Sequence, residues 1–187
     1  MGKINQQLPV KLIVGILTSV PELFSETERE LTALFGAVAA RSDIFPFGWT
    51  DYYSAEMGSP LYRRFLGFSD LIEAPAVADA KIATNELESS MAVKYPGVER
   101  PVNLDPGYIE QSKIVLASTK NFFHRILLSR GIYAEVTLHY QDKQWKSFPW
   151  TFPDYGSEKY HPFFEALREN YRRQLNAAGF EIRIRKG

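Results

Sequence analysis

The chain has no cysteine among its 187 residues. Disulfide frameworks, thiolate metal sites, iron–sulfur clusters and cysteine nucleophiles are therefore excluded. It also lacks an excess of either charge, since 22 basic and 22 acidic side chains give a formal net charge of zero. A protein without net positive charge has little long-range attraction to the phosphates of duplex DNA or to anionic lipids. We therefore expect no duplex DNA partner.

Long hydrophobic runs are absent as well. The longest apolar stretch near the start, residues 10–20, is interrupted by Lys11 and is far shorter than the roughly 20 residues that span a bilayer. The start of the chain resembles a signal peptide, but no small-x-small cleavage site follows, and Ser19-Val20-Pro21-Glu22 is typical of a helix start. We interpret the stretch as a buried first strand and expect a cytoplasmic protein with no membrane partner.

Motifs of common catalytic and cofactor-binding folds are also missing. No Gly-x-Gly-x-x-Gly, Walker A or Gly-x-Ser-x-Gly pattern occurs in the sequence. The histidines, His124, His139 and His161, are not one, three or four residues apart, and no carboxylate stands at a recognised metal-ligand spacing from them. The sequence therefore predicts no metal site and indicates no particular cofactor.

The composition that remains is typical of a globular protein with a sizeable core. Hydrophobic residues make up 45% of the chain and charged residues 24%. The sequence contains no internal repeats and no low-complexity tracts. We predict one domain over residues 1–187, with a core over about 10–175 and a tail over 176–187.

Hydrophobic periodicity predicts the order β-α-β-β-α-β for the first half of the chain. The predicted strands are 10–18, 43–49, 61–68 and 101–109, and the predicted helices are 21–35 and 75–93. This order predicts an α+β fold with an antiparallel or mixed sheet, helices on one face and a ferredoxin-like (split βαβ) core.

The second half is predicted to extend this core by a C-terminal β-hairpin or meander and a terminal helix. Residues 111–120 fit either a short helix or a buried strand, and we favour the helix. Ser129-Arg130-Gly131 is predicted to be a three-residue hairpin loop between strands 122–128 and 132–140. The remaining predicted elements are a strand near 145–148, a helix over 163–175 and an edge strand over 180–185.

The two halves differ in charge. Residues 1–100 hold 9 basic and 13 acidic side chains, whereas residues 101–187 hold 13 basic and 9 acidic ones. Lysine and arginine bind anions, and serine, threonine and asparagine add neutral donors. We therefore predict a site for a small phosphorylated or carboxylated ligand in the second half. Its predicted ligand-binding residues are Asp105, Tyr108, Lys113, Ser118, Lys120, Asn121, Arg125 and Glu135. The alternative is a turn at Asp105-Pro106-Gly107-Tyr108 beside a solvated basic face.

Roles follow for some of these residues. Lys120 and Arg125 would clamp the anion, Asn121 would orient it, and His124 would be the catalytic acid or base if chemistry occurs. The alternative for His124 is a packed histidine without a catalytic role. The hairpin register places Arg125 opposite Glu135, either as a cross-strand ion pair or with Glu135 orienting Arg125 in the site. Whether the chain is an enzyme stays open.

Ordered strings along the chain resemble a known family. They include Leu61-Tyr62-Arg63-Arg64-Phe65, Leu116-Ala117-Ser118-Thr119-Lys120-Asn121, His124-Arg125-Ile126 and Pro149-Trp150-Thr151, together with residues 50–53, 57–58, 84–86, 102–108 and 131–138. Over about residues 10–175 they resemble the uncharacterised prokaryotic family called domain of unknown function 4416. The resemblance implies a single-domain bacterial or archaeal protein. It implies no activity.

Two further functions are compatible with the sequence. The first is a non-catalytic interaction module that forms a homodimer or docks a partner through exposed aromatic residues. The second is RNA recognition, because aromatic and basic residues alternate in RNA-binding surfaces. The residues that would carry it are Trp49, Tyr52, Tyr53, Arg63 and Arg64.

Overall fold

A computed structural model describes residues 7–180, which form one antiparallel sheet of nine strands, four α-helices and one 3-10 turn. The strands are β1 (Val10–Thr18), β2 (Val38–Arg41), β3 (Phe45–Phe47), β4 (Leu61–Ile72), β5 (Asn103–Ile109), β6 (Lys113–Ser118), β7 (Ile126–Ser129), β8 (Ile132–Gln141) and β9 (Gln144–Ser147). The helices are α1 (Leu23–Phe35), α2 (Ser54–Met57), α3 (Val77–Lys94) and α4 (His161–Ala177), and the 3-10 turn is Ala74–Ala76. The predicted α+β class is confirmed.

The strand order is β2-β4-β1-β5-β6-β8-β7, while β3 pairs with β4 and β9 pairs with β8. All of these pairings are antiparallel. The connection β1–α1–β2 therefore joins two parallel strands that have β4 between them. The connection β4–α3–β5 likewise joins two parallel strands with β1 between them. The ferredoxin-like core stays our interpretation of this order.

Two cores cover opposite faces of the sheet, because side chains alternate along each strand. Leu12 and Val14 of β1 face α1 and α3. Ile13 faces the other way and packs in the cluster that contains Phe164 and Leu167 of α4. We call these the α1–α3 face and the α4 face. The predicted placement of helices on one face is thus correct for α1 and α3, and α4 covers the second face because its apolar side needs a partner too.

The second half departs from the prediction at three elements: β6, the loop after β7, and β7 itself, which covers Ile126–Ser129 instead of 122–128. β6 is a strand where we favoured a helix, because residues 114–117 are all buried and their apolar run shows no alternation. The β7–β8 loop has two residues instead of three, since Ser129 pairs with Ile132. Arg130 and Gly131 have φ angles of 50° and 76°, the positive values that a type I′ turn requires.

At the remaining positions, β2 was not predicted, and the segment predicted as 43–49 is the shorter β3. Asp105-Pro106-Gly107-Tyr108 lies inside β5 and is not a turn. The predicted edge strand over 180–185 and most of the tail over 176–187 lie outside the described residues.

Close packing of β5 against β6 depends on Gly107. A Cβ atom at this position would lie 2.2 Å from the carbonyl oxygen of Val115 and 2.7 Å from Leu116 Cδ2. Because the backbone of β6 would have to move, we expect Gly107→Ala to lower the free energy of unfolding by about 2 kcal/mol, measured by urea denaturation. Gly97→Ala is the control, since no heavy atom lies within 4 Å of the added carbon. Equal stability of the two variants would contradict this account.

Candidate functional site at the β7–β9 edge

One edge of β8 is divided between two short strands. β7 pairs with residues 132–134 of β8, and β9 pairs with residues 138–141. Side chains, not a strand, occupy the gap between them. Trp150 Nε1 donates to the carbonyl oxygen of Val136 at 3.0 Å, and Thr151 Oγ1 donates to that of Thr137 at 2.5 Å. The loop after β9 therefore completes this part of the edge.

Glu135 lies in the same gap, and its side chain is only 1% exposed. Its Oε2 atom accepts a hydrogen bond from Arg125 Nε at 2.7 Å and lies 3.0 Å from His124 Nε2. A buried carboxylate is costly unless it is paired and hydrogen-bonded. The predicted contact between Arg125 and Glu135 is confirmed. We call Glu135, Arg125 and His124 the Glu135 cluster.

Arg125 also holds the segment that precedes it. Its Nη1 atom donates to Ser118 Oγ and to the carbonyl oxygen of Lys120, both at 3.0 Å. These contacts draw the end of β6 and the following residues towards β8. Two nitrogens of the guanidinium group are thus occupied by protein acceptors, and the side chain is 10% exposed.

His124 is packed between aromatic rings. Its ring stacks on Trp150 with centroids 5.1 Å apart, and Trp150 stacks in turn on Phe148 at 4.9 Å. The His124 side chain is 7% exposed, and its buried Nδ1 atom has no hydrogen-bond partner among residues 7–180. This environment favours the packed-histidine interpretation over a catalytic acid or base in an open cavity.

The segment held by the Glu135 cluster exposes a row of large apolar side chains. Arg125 N donates to the carbonyl oxygen of Phe122 at 2.9 Å, which closes a turn. The turn directs His124 and Arg125 towards Glu135, while the neighbouring side chains remain exposed. The exposed side chains, which we call the ridge, are Phe122, Phe123, Ile126, Leu127 and Leu128, with exposed fractions between 39% and 79%. An apolar patch of this kind usually marks an interaction surface.

β7 and β9 share one edge of the sheet but differ in charge. β9 contains Lys146, which pairs with Asp142, and a charged side chain on an edge strand discourages pairing with other chains. β7 contains no charged residue, and all four of its residues are exposed. It is the last strand in the sheet order, and its outer edge pairs with no strand in the described part of the chain. Such an edge is a template for strand addition.

A groove of about 340 Å³ lies beside β7 on the α1–α3 face. Its apolar walls come from the 3-10 turn, the start of α3 and the strands β5, β7 and β8. Ile126 pairs with Ala134, so its side chain is on the same face as this groove. The lining residues are Gln7, Ala74, Pro75, Val77, Tyr108, Leu127, Leu128, Ser129 and Ala134.

The structure separates several residues that were predicted to share one site. Tyr108 lies on the α1–α3 face and Asp105 on the α4 face, because a step of three residues along a strand changes the face. Lys113 lies at the far end of β6, where its Nζ atom donates to Glu110 at 2.9 Å. Asn121 is exposed. Lys120 Nζ donates to Tyr52 Oη at 2.9 Å. The expectation of a common cavity is therefore wrong for Tyr108 and Lys113.

Asp105 belongs to a second buried cluster, which we call the Arg63 cluster. Arg63 Nη1 donates to Asp105 Oδ2 at 2.7 Å, and Nη2 lies 3.1 Å from Asp154 Oδ2. Asn103 Nδ2 also donates to Asp105 Oδ2, at 2.9 Å. The Arg63 side chain is 3% exposed and lies against Gly15, where a Cβ atom would be 3.1 Å from Nη1.

This role of Arg63 was not predicted, and the residue was named only for the alternative function of RNA recognition. A signal for its burial was present, because Arg63 alternates with Tyr62 and Arg64 and shares a face with the buried Phe65. In the structure Arg63 is enclosed and paired with two carboxylates, so it is not part of a surface for RNA. Trp49 and Tyr52 are exposed.

The two carboxyl groups beside Arg63 differ in electrostatics. Burial raises the pKa of Asp105, but the nearby Arg63 and Lys81 charges outweigh it, and the pKa lies below the usual value of 3.8. Burial also raises the pKa of Asp154. The attraction of Arg63 lowers it by less than burial raises it, so the pKa of Asp154 lies above the usual value of 3.8. Of the two carboxyl groups, Asp105 is thus the one whose ionised form the fold stabilises.

The described residues provide neither a metal centre nor a membrane-spanning helix. Residues 7–180 contain no group of three or more His, Asp or Glu side chains placed to hold a metal ion. Within the same residues, every helix is too short or too polar to cross a membrane.

These features define an α+β protein with one antiparallel sheet, two buried arginine–carboxylate clusters and an exposed apolar strand at one edge. The chain belongs to the family described as Domain of unknown function (DUF4416), whose model matches residues 8–171. No curated protein and no solved structure matches it significantly.

The Glu135 cluster generates a stability prediction. Glu135→Gln keeps the shape of the side chain but leaves the buried Arg125 cation without its counter-charge. We expect the free energy of unfolding to fall by about 3 kcal/mol in urea denaturation at neutral pH. Hydrogen exchange in residues 122–128 should also become faster.

The control is Lys146→Met, which removes an ion pair whose side chains are 37% and 71% exposed. Exposed pairs contribute little, so we expect a change below about 1 kcal/mol. If Glu135→Gln were as stable as this control, Glu135 would not fix the segment before β7.

The Arg63 cluster generates a pH prediction. Because the pKa of Asp105 is lowered in the fold, its ionised form stabilises the protein above pH 3.8, and this contribution is lost as the pH falls through the lower folded pKa. Asp105→Asn should therefore cost about 2 kcal/mol near pH 7, and the difference from the wild type should shrink below pH 3.8. Urea denaturation at several pH values measures this, with the exposed Asp43→Asn as the control. A pH-independent difference would contradict it.

Proposed function

We propose that the protein is a non-catalytic interaction module that acts as a homodimer, in which two copies pair along β7. The observation that carries the proposal is the ridge, a row of five large apolar side chains at an unpaired strand edge. The Glu135 cluster holds the start of this segment in place. Burial of the ridge against a second chain would remove its apolar surface from water, which favours association.

A second copy of this chain fits the charges of the surface. The charged residues that flank β7 already have partners, because Arg125 is paired with Glu135 and Arg130 with Asp79. Two copies of β7 therefore meet without unpaired like charges. The formal net charge of zero also means that the chains do not repel each other as a whole.

Symmetry points to the same arrangement. A two-fold axis perpendicular to the sheet places two copies of β7 antiparallel and keeps the α1–α3 faces of both copies on one side. Antiparallel pairing is the mode found in the described ladders of this sheet. The dimer would thus continue the sheet from one subunit into the other without a change in hydrogen-bonding pattern.

The area of the ridge is sufficient for a modest dimer. The exposed parts of its five side chains amount to roughly 500 Å² of apolar surface for each copy. Two copies would bury at most on the order of 1,000 Å², which lies at the lower end of specific interfaces. We therefore expect a dissociation constant in the micromolar range.

The anion-binding hypothesis has weaker support. Arg125, its intended clamp, already donates to Glu135, Ser118 and Lys120, and His124 is covered by Trp150. Lys120 remains exposed, yet a single exposed lysine is not a site. For these reasons we place association through β7 first.

The proposal is tested with Leu127→Lys. In a symmetric dimer this change brings two lysines close together and places both in an apolar interface. We expect the dissociation constant to rise at least about 100-fold. Sedimentation equilibrium at protein concentrations from roughly 1 to 100 μM measures it. The amides of β7 should also lose the concentration-dependent protection from hydrogen exchange that we expect in the wild type.

Val93→Lys is the matched control. Val93 is 83% exposed on α3, and the substitution makes the same change in charge away from β7. We expect this variant to dimerise like the wild type. The proposal is refuted if the wild type stays monomeric at a protein concentration about 100-fold above the expected dissociation constant. It is also refuted if Leu127→Lys dimerises as well as the control.

A further inference from the structure

We infer that the groove beside β7 is a specificity pocket that receives an aliphatic side chain, Ile126 of the partner subunit. The inference rests on the proposed homodimer. It assigns a function to the groove, which takes no part in hydrogen bonding between the two β7 strands. Strand addition commonly combines main-chain hydrogen bonds with pockets that take alternate side chains of the added strand.

The chemistry of the groove fits a hydrocarbon group. Six of its nine lining residues are aliphatic residues or proline of the 3-10 turn, α3, β7 and β8, and the others are Gln7, Tyr108 and Ser129. No Asp, Glu, Lys, Arg or His is among the lining residues. A charged or strongly polar group would lose its hydration there without a counter-charge, whereas an aliphatic group would gain by leaving water.

The position of Ile126 fits this role. Its side chain is 73% exposed, so it has little contact within its own chain. It lies on the same face of the sheet as Ala134, which lines the groove. A two-fold axis perpendicular to the sheet keeps this face on one side of the dimer, so Ile126 of the partner subunit approaches the groove from across the β7 edge.

The surface is therefore self-complementary. Each copy carries the projecting side chain of Ile126 and one apolar groove, and such self-complementarity is what an interface between identical partners requires. The dimer would contain two equivalent contacts, each between the Ile126 side chain of one copy and the groove of the other. This duplication makes the inference testable by mixing variants.

The groove is blocked by Ala74→Trp, and the projection is removed by Ile126→Ala. Ala74 belongs to the 3-10 turn and not to β7, so filling the groove leaves the strand edge unchanged. Each variant homodimer loses both contacts, whereas a mixed dimer loses only one. If one contact is worth roughly 10-fold in affinity, each homodimer is weakened about 100-fold and the heterodimer only about 10-fold.

Native mass spectrometry of an equimolar mixture measures this, because the two chains differ in mass. We expect the amount of heterodimer, relative to the two homodimers, to be well above the amount that random pairing of the chains would give. Urea denaturation checks that Ala74→Trp is folded, and Ala74→Leu, which fills less of the groove, replaces it if it is not.

The outcomes separate the two proposals. If the wild type dimerises and Leu127→Lys does not, but Ala74→Trp and Ile126→Ala dimerise like the wild type, the groove inference fails while the homodimer stands. The inference also fails if both variants dimerise more weakly than the wild type but their mixture contains heterodimer and homodimers in the ratio of about 2:1:1 that random pairing gives. If the wild type is monomeric, both proposals fail.

Discussion

The buried carboxylate of Glu135 constrains everything at the β7–β9 edge. A charge that is 1% exposed has to be matched by a cation at hydrogen-bond distance, and Arg125 supplies it at 2.7 Å. The same guanidinium group binds Ser118 and the Lys120 carbonyl, so β6, β8 and the segment before β7 are tied together at one point. Phe122 and Phe123 remain exposed on the turn that directs His124 and Arg125 towards Glu135. We interpret the exposed ridge as a consequence of the buried ion pair.

The second arginine–carboxylate cluster acts on the same loop from the other side. Trp150 covers His124 in the Glu135 cluster, and Asp154, four residues later, pairs with Arg63. Both clusters lie on the α4 face, where the loop between β9 and α4 crosses the sheet. The first half of this loop is therefore fixed at two points by contacts to buried polar groups, which is a directional constraint that apolar packing alone would not provide.

Local pattern predicted those parts of the fold that depend on local sequence. The apolar run of β1, the apolar and aromatic residues of β4 and β8, the periodicity of α1 and the Pro75 that precedes α3 located these elements. The Arg125–Glu135 contact was also predicted, although the loop is one residue shorter than expected, because a bulge between Leu127 and Ser129 restores the register. Sequence could not show that β7 is the last strand of the sheet, that the ridge is exposed, or that Asp154 meets Arg63. These depend on pairing between distant segments, and no local pattern encodes them.

An ion pair in place of an apolar contact at this edge has a physical explanation. Buried ion pairs are often no more stabilising than apolar side chains of similar size, so stability does not account for Glu135 and Arg125. An apolar contact accepts any apolar side chain, and Phe122, Phe123 and Ile126 would then compete for the gap beside β8. A carboxylate accepts only a donor, and among residues 122–128 only His124 and Arg125 have one in the side chain. The charge thus selects which residues point inward and leaves the apolar ones exposed. This selection agrees with the proposed role of the ridge as an association surface.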